Sequence, residues 1–313
     1  MMNVVIVGGG SIGRLLGAYI GKGGNSVTLV EPNPEVAQAL NEQGVGLLEF
    51  DATSPDAPSY SPIRAVTDGS ELTSCDLVIL AVKSFDTLQA VQQVSHLVTD
   101  HSPLLSLQTG LGNLELMERV VGRQNIIGGF TFMSGTSLGP SVVRNGGAGK
   151  TYIGELDGRV TERVKRLNTL LNQCSLPCTT VKRVIGRLWC KVIVYSAINA
   201  VTAILRVRNG ELLQHLESIT LLKRLIDEGE KVAQAQAIDL VFPDLYELLF
   251  DTCRKSSDNL SSMFQDILNK KRTEIDAQCG ALVAFGEEVG VKTPTQQTMV
   301  ELVKLIEHHQ SKS

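Results

Sequence analysis

The sequence predicts an α/β domain built on a parallel sheet, followed by an all-helical domain. Three observations lead to this fold class. The 313 residues fit two domains at roughly 150 residues each. Short apolar segments alternate with helical patterns up to about residue 110, which indicates strands joined by crossover helices. Beyond residue 183 the periodicity is helical. We therefore expect domains at residues 1–182 and 183–313.

The first predicted strand leads directly into a glycine-rich turn. Residues 4–7 (Val-Val-Ile-Val) precede Gly8-Gly9-Gly10-Ser11-Ile12-Gly13, which has the spacing Gly-x-Gly-x-x-Gly. In a dinucleotide-binding turn, the first glycine allows the tight bend, the second admits the pyrophosphate and the third lets the helix pack closely on the strand. The pyrophosphate then meets the helix N-terminal amides. This pattern predicts a Rossmann domain in which the cofactor contacts Gly8, Gly10, Ser11, Ile12 and Gly13.

The second predicted strand, residues 26–30, ends in Glu31. An acidic residue at this spacing can accept hydrogen bonds from the ribose hydroxyls of the adenosine half of the cofactor. Its carboxylate would also repel the 2′-phosphate of NADP(H), and the following Pro32-Asn33-Pro34 offers no cation. Glu31 therefore argues for NAD(H), with Arg14 as the nearby cation that a 2′-phosphate could use.

Two further apolar strands, residues 77–82 and 104–107, read as parallel strands covered on both faces. Lys83 follows the first, and Thr109 follows the second within Leu-Gln-Thr-Gly-Leu-Gly-Asn. Carboxyl ends of parallel strands face the cofactor crevice. From the pattern alone, Lys83 fits either a cofactor contact or a solvated loop lysine. Residues 128–154, rich in Gly, Ser and Thr, read as further strands and turns of the same domain.

The second half contains long amphipathic stretches, at residues 186–205, 211–237, 244–268, 273–289 and near 295–309. The first is apolar nearly all round and is predicted to be buried. Lys191, Tyr195 and Asn199 are spaced four residues apart along it and share one face. Burial lowers the pKa of a lysine toward values useful for proton transfer. The pattern alone also fits a lysine that extends to solvent.

The last informative segment runs from residue 261 to residue 276. Thr273 and Asp276 have the spacing of a capping box and predict the start of a new helix. The chain must then turn between Ser262 and Glu274, which could bring both side chains to one site. The simpler alternative is that Glu274 compensates the helix dipole in a first turn.

Composition narrows the class of protein. A net charge of −4, 43% hydrophobic residues and dispersed cations are typical of a soluble globular protein and do not suggest nucleic-acid binding. We find no apolar run of about 18 residues and no signal peptide, so we expect no membrane span and a cytoplasmic protein. The six cysteines and five histidines lack metal-binding spacing. We therefore expect reduced, mostly buried thiols and no metal.

Taken in order, these motifs resemble the ketopantoate reductase (2-dehydropantoate 2-reductase) family over the length of the chain. The most specific is Ser-Ser-Met-x-Gln-Asp at 261–266 followed by Thr-Glu-Ile-Asp at 273–276. The others are the glycine turn, Val82-Lys83-Ser84, the 107–113 motif, Trp189-x-Lys191, Asn199 and Asn209-Gly210-Glu211-Leu212. The resemblance implies a Rossmann domain, a helical C-terminal domain, NADP(H), and reduction of ketopantoate to pantoate for pantothenate and coenzyme A biosynthesis.

The resemblance also implies roles for individual residues. Lys191 matches the catalytic lysine, the general acid that protonates the ketone oxygen as hydride arrives from the nicotinamide. Glu274 matches the acidic residue that holds the substrate hydroxyl. Ser262 and Asn199 match substrate-binding positions, and Lys83 matches a lysine near the cofactor.

This chain departs from the family pattern at three positions. Thr109 and Tyr195 stand where the family usually has asparagines that face the cofactor and the substrate. We expect both to bind substrate, and Thr109 to contact the cofactor as well. Because a hydroxyl and a phenol change the shape and polarity of a pocket, they bear on which substrate is used more than on the reaction type. Glu31 stands where NADPH-using members generally have a basic residue.

Three functions follow as alternatives. The first is reduction of ketopantoate, a small-molecule 2-oxo acid, by a chain that could act as a homodimer. The second is a related reductase of another 2-oxo acid or a hydroxyketone. The third is a nucleotide-binding protein without catalysis, against which the presence of both Lys191 and Glu274 argues. Turnover separates them, because a binding protein would not oxidise the reduced nicotinamide.

Overall fold

The computed structural model describes residues 1–50, 57–147 and 149–310. The chain forms two compact units: Met1–Gln108 with Asn113–Val184, and Thr109–Gly112 with Ile185–Ser313. The short segment Thr109–Gly112 thus belongs to the second unit, although the chain on either side of it belongs to the first. A single boundary near residue 182 would assign Thr109–Gly112 to the first domain instead. The domain limits 1–182 and 183–313 therefore stay a prediction.

The first unit contains twelve strands among the described residues: β1 Asn3–Val7, β2 Ser26–Val30, β3 Val45–Leu48, β4 Ser59–Ser61, β5 Arg64–Val66, β6 Leu77–Leu80, β7 Leu104–Ser106, β8 Ile126–Thr131, β9 Gly135–Ser137, β10 Val142–Asn145, β11 Thr151–Glu155 and β12 Cys178–Thr180. Its helices are α1 Ser11–Lys22, α2 Pro34–Gln43, α3 Thr87–Val94, α4 Asn113–Val121 and α5 Glu162–Gln173. The main sheet has the order β12-β11-β8-β7-β6-β1-β2-β5. Residues 4–7 of β1 and all of β6, two central strands, are buried, as their continuous apolar sequences predict.

The predicted parallel sheet is confirmed for every neighbouring pair except one, since β11 runs antiparallel to β8. Parallel neighbours need a crossover, usually a helix. Between β8 and β11 the chain instead forms β9 and β10, which join β3 and β4 in a second sheet of order β4-β3-β10-β9. The described residues within 128–154 therefore form strands and turns as expected, but the strands divide between two sheets.

The second unit is helical, as predicted, with α6 Val184–Leu205, α7 Leu216–Ala235, α8 Leu245–Lys255, α9 Ser262–Leu268, α10 Cys279–Glu288 and α11 Pro294–Gln310. The expected single helix at 244–268 is wrong, because the chain breaks between α8 and α9. The amides of Asn209 and Gly210 donate to the carbonyls of residues 259 and 257, which a continuous helix would use itself. Ser261 then caps α9 by accepting the Phe264 N–H.

The capping box expected at Thr273 is also wrong. The Thr273 hydroxyl accepts the Ile275 N–H at 3.3 Å and introduces a short 3₁₀ turn, Ile275–Ala277, before α10 begins at Cys279. The Thr273 N–H, which a capping box would direct at the Asp276 carboxylate, donates instead to Glu307 Oε1 at 2.6 Å, and Asp276 pairs with Lys304 at 2.6 Å. Local spacing does not report this tertiary ion pair.

Helix α6 is long enough and apolar enough to cross a membrane, with a mean hydropathy of 1.7 in its best window. The helix meets this criterion although Arg187 and Lys191 interrupt its apolar residues, so it is not an uninterrupted apolar run of about 18 residues. However, 83% of that window is buried inside the protein, as in the core helix of a folded domain. Burial among the other helices accounts for the composition of α6.

Candidate active site

The glycine turn joins β1 to α1, and its three motif glycines have different tasks. Gly8 has φ +109°, and a Cβ added at Gly13 would lie 1.8 Å from the Gly8 carbonyl oxygen, so both are required by the turn and its packing. At Gly10, by contrast, no atom of the described residues lies within 4 Å of an added Cβ. Gly10 is also the N-cap of α1 and has no side chain to occupy the first-turn amides. These features fit a cofactor pyrophosphate at the amides of Ser11, Ile12 and Gly13.

The carboxylate of Glu31 lies against this turn. Its Oε1 accepts the Asn33 N–H at 2.9 Å, and its Oε2 would be 2.3 Å from a Cβ added at Gly9. The residue follows β2 directly, and its backbone N–H donates to the Val66 carbonyl. The acidic group thus stands at the place where a Rossmann domain meets the adenosine ribose.

Arg14, the cation considered for a 2′-phosphate, is used by the protein itself. Its side chain is 6% exposed. Nη1 donates to the carbonyls of Gly139 and Pro140 at 2.6 and 2.9 Å, and Nη2 donates to the Ser137 hydroxyl at 2.8 Å. The guanidinium therefore anchors the β9–β10 turn, and the structure does not favour the phosphate contact.

The segments that follow β6 and β7 are joined by buried side chains. Gln108 donates to the Val82 carbonyl at 3.1 Å and to the Thr87 hydroxyl at 2.7 Å. Thr87 donates to Asn113, whose amide nitrogen donates to the Ser84 hydroxyl at 3.1 Å. This network holds the half-buried Lys83 loop. Sequence reasoning missed these residues as a group, although Ser84, Gln108 and Asn113 lie inside the quoted motifs.

Lys191 is the central charged group of the second unit. It lies in the middle of α6, is 6% exposed, and its Nζ donates to the Thr109 hydroxyl at 3.0 Å. Burial lowers the pKa of Lys191 to about 7, and the negative charge of Glu274 acts in the opposite direction. Near neutral pH the amine therefore exists in both protonation states, which is the condition for a general acid–base catalyst.

Thr109 reaches this lysine from a segment that sequence alone would assign to the first domain. The segment is fixed to the second unit by a hydrogen bond from the Leu111 N–H to the Ala277 carbonyl, at 2.9 Å. Ala277 in turn donates its N–H to the Glu274 carbonyl. Backbone bonds therefore connect the Thr109 and Glu274 segments within one unit.

Tyr195 lies one helical turn after Lys191, with its ring centroid 5.4 Å from Nζ, a cation–π distance. Burial raises the pKa of Tyr195 to about 12, with a smaller contribution from Cys253. The phenol therefore stays protonated and neutral at physiological pH. Its ring occupies space next to the amine that an asparagine would leave open.

The remaining predicted residues differ in their surroundings. Asn199 is 3% exposed, and its Nδ2 donates to Gln278 Oε1 at 3.0 Å. Ser262 is the first residue of α9 and is exposed. The neighbouring Ser261 is buried and accepts a hydrogen bond from Thr202 of α6 at 2.7 Å. The structure thus brings Lys191, Thr109 and Tyr195 together and places Glu274 within electrostatic reach, while Ser262 lies at the surface.

Candidate metal ligands and thiols give no second site. Within residues 1–50, 57–147 and 149–310, no group of three or more His, Cys, Asp and Glu side chains could hold a metal ion. All six cysteines are free thiols, five of them buried. The chemistry that the residues around Lys191 support is proton transfer by its amine.

Comparison with protein families places both units. Residues 4–158 match the family described as ketopantoate reductase PanE/ApbA, and residues 183–307 match its C-terminal family. The 2-dehydropantoate 2-reductase of Halobacterium salinarum is 31% identical over 305 residues, 97% of this chain and 98% of that protein. Its counterpart in Pyrococcus horikoshii is 32% identical, with 97% of each chain covered.

Solved structures agree with this relationship. A PanE/ApbA family ketopantoate reductase from Ralstonia eutropha has a TM-score of 0.88 at 28% identity, covering 99% of this chain and all of that one. D-Mandelate dehydrogenase, solved with NADH and anilino(oxo)acetate, has a TM-score of 0.90 at 25% identity and the same coverage. With full-length relatives above 30% identity and family matches to both units, this chain belongs to the ketopantoate reductase family.

Proposed function

We propose that this protein reduces ketopantoate to pantoate with a nicotinamide cofactor, as part of pantothenate and coenzyme A biosynthesis. Membership of the family makes it an NAD(P)-dependent oxidoreductase acting on a CH–OH group. The observation that carries the assignment to this chain is Lys191, a buried amine with a pKa of about 7. Such a group can protonate a carbonyl oxygen at neutral pH and recover its proton from solvent.

The chain's own residues account for the proton and for orientation. When bound, NAD(P)H would supply the hydride that the carbonyl carbon receives. Lys191 donates a proton from Nζ to the carbonyl oxygen, so that C=O becomes CH–OH and the lysine is left neutral. The Thr109 hydroxyl accepts a hydrogen bond from Lys191 Nζ at 3.0 Å and helps to fix the direction of the ammonium group. Glu274 favours the protonated lysine against the effect of burial.

We assign the other substrate and cofactor contacts from the positions of these residues in the structure together with the family resemblance. Substrate would be held by Asn199, Ser262, Glu274, Tyr195 and Thr109. The cofactor would be held by Gly8, Gly10, Ser11, Ile12, Gly13, Glu31, Lys83 and Thr109. Ser262 is exposed, whereas its buried neighbour Ser261 makes the contact with α6.

For the cofactor we propose NADH rather than NADPH. The Glu31 carboxylate lies against the glycine turn, where it would meet ribose hydroxyls and repel a 2′-phosphate. Arg14 is committed to the β9–β10 turn. The structurally similar D-mandelate dehydrogenase was solved with NADH. Family resemblance by itself would favour NADP(H), so the two cofactors must be compared directly.

A second candidate is reduction of a different 2-oxo acid, with an aryl-substituted one as the specific case. Tyr195 places an aromatic ring beside the Lys191 amine, and D-mandelate dehydrogenase, which binds anilino(oxo)acetate, shares the whole fold. An aromatic ring in the pocket would stack on an aryl substrate.

The deciding experiment is a substrate panel assayed with each reduced cofactor. It would include ketopantoate, its analogue without the hydroxyl group, an aryl 2-oxo acid and a hydroxyketone. We expect ketopantoate to be turned over, with NADH preferred. If the protein binds the cofactor but no 2-oxo acid oxidises it, the non-catalytic nucleotide-binding alternative is correct.

Restoring the usual asparagines should improve ketopantoate reduction. Asparagine both donates and accepts, whereas Tyr195 offers one hydroxyl and a ring. A lost polar contact typically costs ~1–3 kcal/mol, so the Thr109→Asn, Tyr195→Asn double variant should gain roughly 10- to 100-fold in kcat/KM for ketopantoate relative to other 2-oxo acids. Steady-state kinetics on the panel measure this ratio. If the wild type already prefers ketopantoate and the double variant is worse, the pocket compensates for both departures.

The rate should depend on pH through Lys191. Its pKa is lowered from 10.5 to about 7, so the ammonium is lost as pH rises through that value. We expect kcat/KM for reduction to fall above about pH 7, and kcat/KM for oxidation of the hydroxy acid to rise over the same interval, because the neutral amine is then the base. Profiles of both directions that stay flat around neutral pH would contradict this assignment.

The proposal also includes the cellular compartment and the oligomeric state of the protein. We place the protein in the cytoplasm, which suits its free, mostly buried thiols, and expect a homodimer. Sedimentation at several protein concentrations measures the oligomeric state.

A further inference from the structure

The geometry points to Gln278 as a positioning residue that orients the amide of Asn199 and thereby favours 2-oxo acids carrying a hydroxyl group. The inference rests on the proposed function, because it requires a substrate beside Asn199. Gln278 itself would not touch the reacting atoms.

Gln278 is held firmly and lies close in sequence to the proposed substrate carboxylate. It is 1% exposed and directly precedes α10. Its N–H donates to the Ile275 carbonyl at 3.3 Å, and its carbonyl accepts the Leu282 N–H at 3.2 Å. It is four residues beyond Glu274, and the residue before it, Ala277, accepts the Leu111 N–H. The segment that carries Glu274 therefore also fixes the backbone of Gln278.

The side-chain bond determines how Asn199 can face a ligand. Gln278 Oε1 accepts from Asn199 Nδ2 at 3.0 Å, and both side chains are buried. An asparagine amide has donors at one end and an acceptor at the other. With its nitrogen end directed at Gln278, the opposite end of Asn199 is the carbonyl oxygen, a hydrogen-bond acceptor. An acceptor at this position selects for a hydroxyl donor on the substrate. That hydroxyl has one proton to donate, so Asn199 Oδ1 takes the place that the family resemblance gives to the Glu274 carboxylate.

A second buried glutamine of the same unit shows the contrast. Gln296 is 0% exposed, and its Nε2 donates to the backbone carbonyl of Leu225 at 2.9 Å, which ties α11 to α7. Gln278 instead bonds to a side chain that shares a helix face with Lys191. Burying an amide is costly unless its hydrogen bonds are made. Gln296 holds two helices together, whereas the bond of Gln278 orients a functional side chain.

The test is the ratio of kcat/KM for two matched substrates, ketopantoate and 3,3-dimethyl-2-oxobutanoate, which lacks only the hydroxyl group. Gln278→Met keeps the side-chain length and removes the acceptor. We expect it to lower kcat/KM for ketopantoate about 10-fold, mainly through KM, and to change the value for the analogue less than about 2-fold. Gln278→Glu places acceptor oxygens at the same position and should retain the wild-type ratio. Gln296→Met, the matched control, should lower thermal stability without changing the ratio.

A double-mutant cycle shows whether Gln278 acts through Asn199. In an Asn199→Ala background, Gln278→Met should have no further effect on the ratio. Equal losses on both substrates, or a full effect of Gln278→Met without Asn199, would overturn the inference. If Gln278→Met does not fold, the kcat/KM ratio of Gln278→Glu is the test. A loss of the preference for the hydroxyl-bearing substrate in that variant would contradict the proposed orientation of the Asn199 amide. Failure of the wild type to reduce either compound would overturn the proposed function, and with it the role of Gln278.

Discussion

Replacing Lys191 with alanine should lower kcat for reduction by roughly 10² or more, which is the range for loss of a general acid. The amine is buried, donates to Thr109 and has a pKa of about 7. The cofactor residues proposed in the first unit are untouched, so affinity for the reduced nicotinamide should stay nearly unchanged. Steady-state kinetics and cofactor titration followed by fluorescence measure the two quantities.

Two further variants separate chemistry from folding. Lys231→Ala removes an exposed lysine from α7 and should leave turnover as in the wild type. Lys191→Met keeps the volume and removes the buried charge. Burial lowers the pKa of Lys191 from 10.5 in the unfolded chain to about 7 in the folded protein, so the unfolded chain binds more protons between these pH values. Lys191 therefore lowers the free energy of unfolding of the wild type, and this loss is largest below about pH 7. Lys191→Met should therefore be inactive yet more stable at pH 6, with the difference shrinking toward pH 10. Wild-type turnover in Lys191→Ala would refute the mechanism.

Reversing the charge at Glu31 should change the cofactor preference by roughly 10²-fold in the ratio of the kcat/KM values for NADPH and NADH. Glu31→Arg replaces a carboxylate that repels a 2′-phosphate with a guanidinium that can bind it bidentately. The wild type should prefer NADH, and the variant should shift toward NADPH through the KM for the cofactor. Initial rates with each cofactor, at saturating 2-oxo acid, give the ratio.

Glu35→Arg is the matched control, because this exposed carboxylate lies four residues further along, in the first turn of α2. The same change in net charge there should leave the ratio within about 2-fold, since exposed charges are screened by salt. A clear NADPH preference in the wild type would show that the phosphate is bound elsewhere and that Glu31 does not select the cofactor.

Local patterns predicted the strands and the glycine turn between β1 and α1 well. Residues 4–7 and 26–30 are β-branched or apolar runs bounded by turn residues, and both lie in strands of the main sheet. Lys191 and Tyr195 are adjacent because a helix brings residues four apart onto one face. Helix α8, by contrast, ends early because Asn209 and Gly210 bind backbone carbonyls beyond its end. No periodicity within residues 244–268 records that distant partner.

The sequence by itself determined the α/β and helical halves, the glycine turn, the acidic residue after β2 and the single lysine on an apolar helix face. Each of these depends on residues close together in the chain, where spacing and side-chain type set the structure. Only the tertiary structure decided that Thr109–Gly112 belongs to the helical unit, that Arg14 binds the β9–β10 turn, that β11 runs antiparallel, and that Asn199 bonds to Gln278. Those contacts join residues far apart in the chain, and their partners are chosen by packing and by the need of buried polar groups for hydrogen bonds.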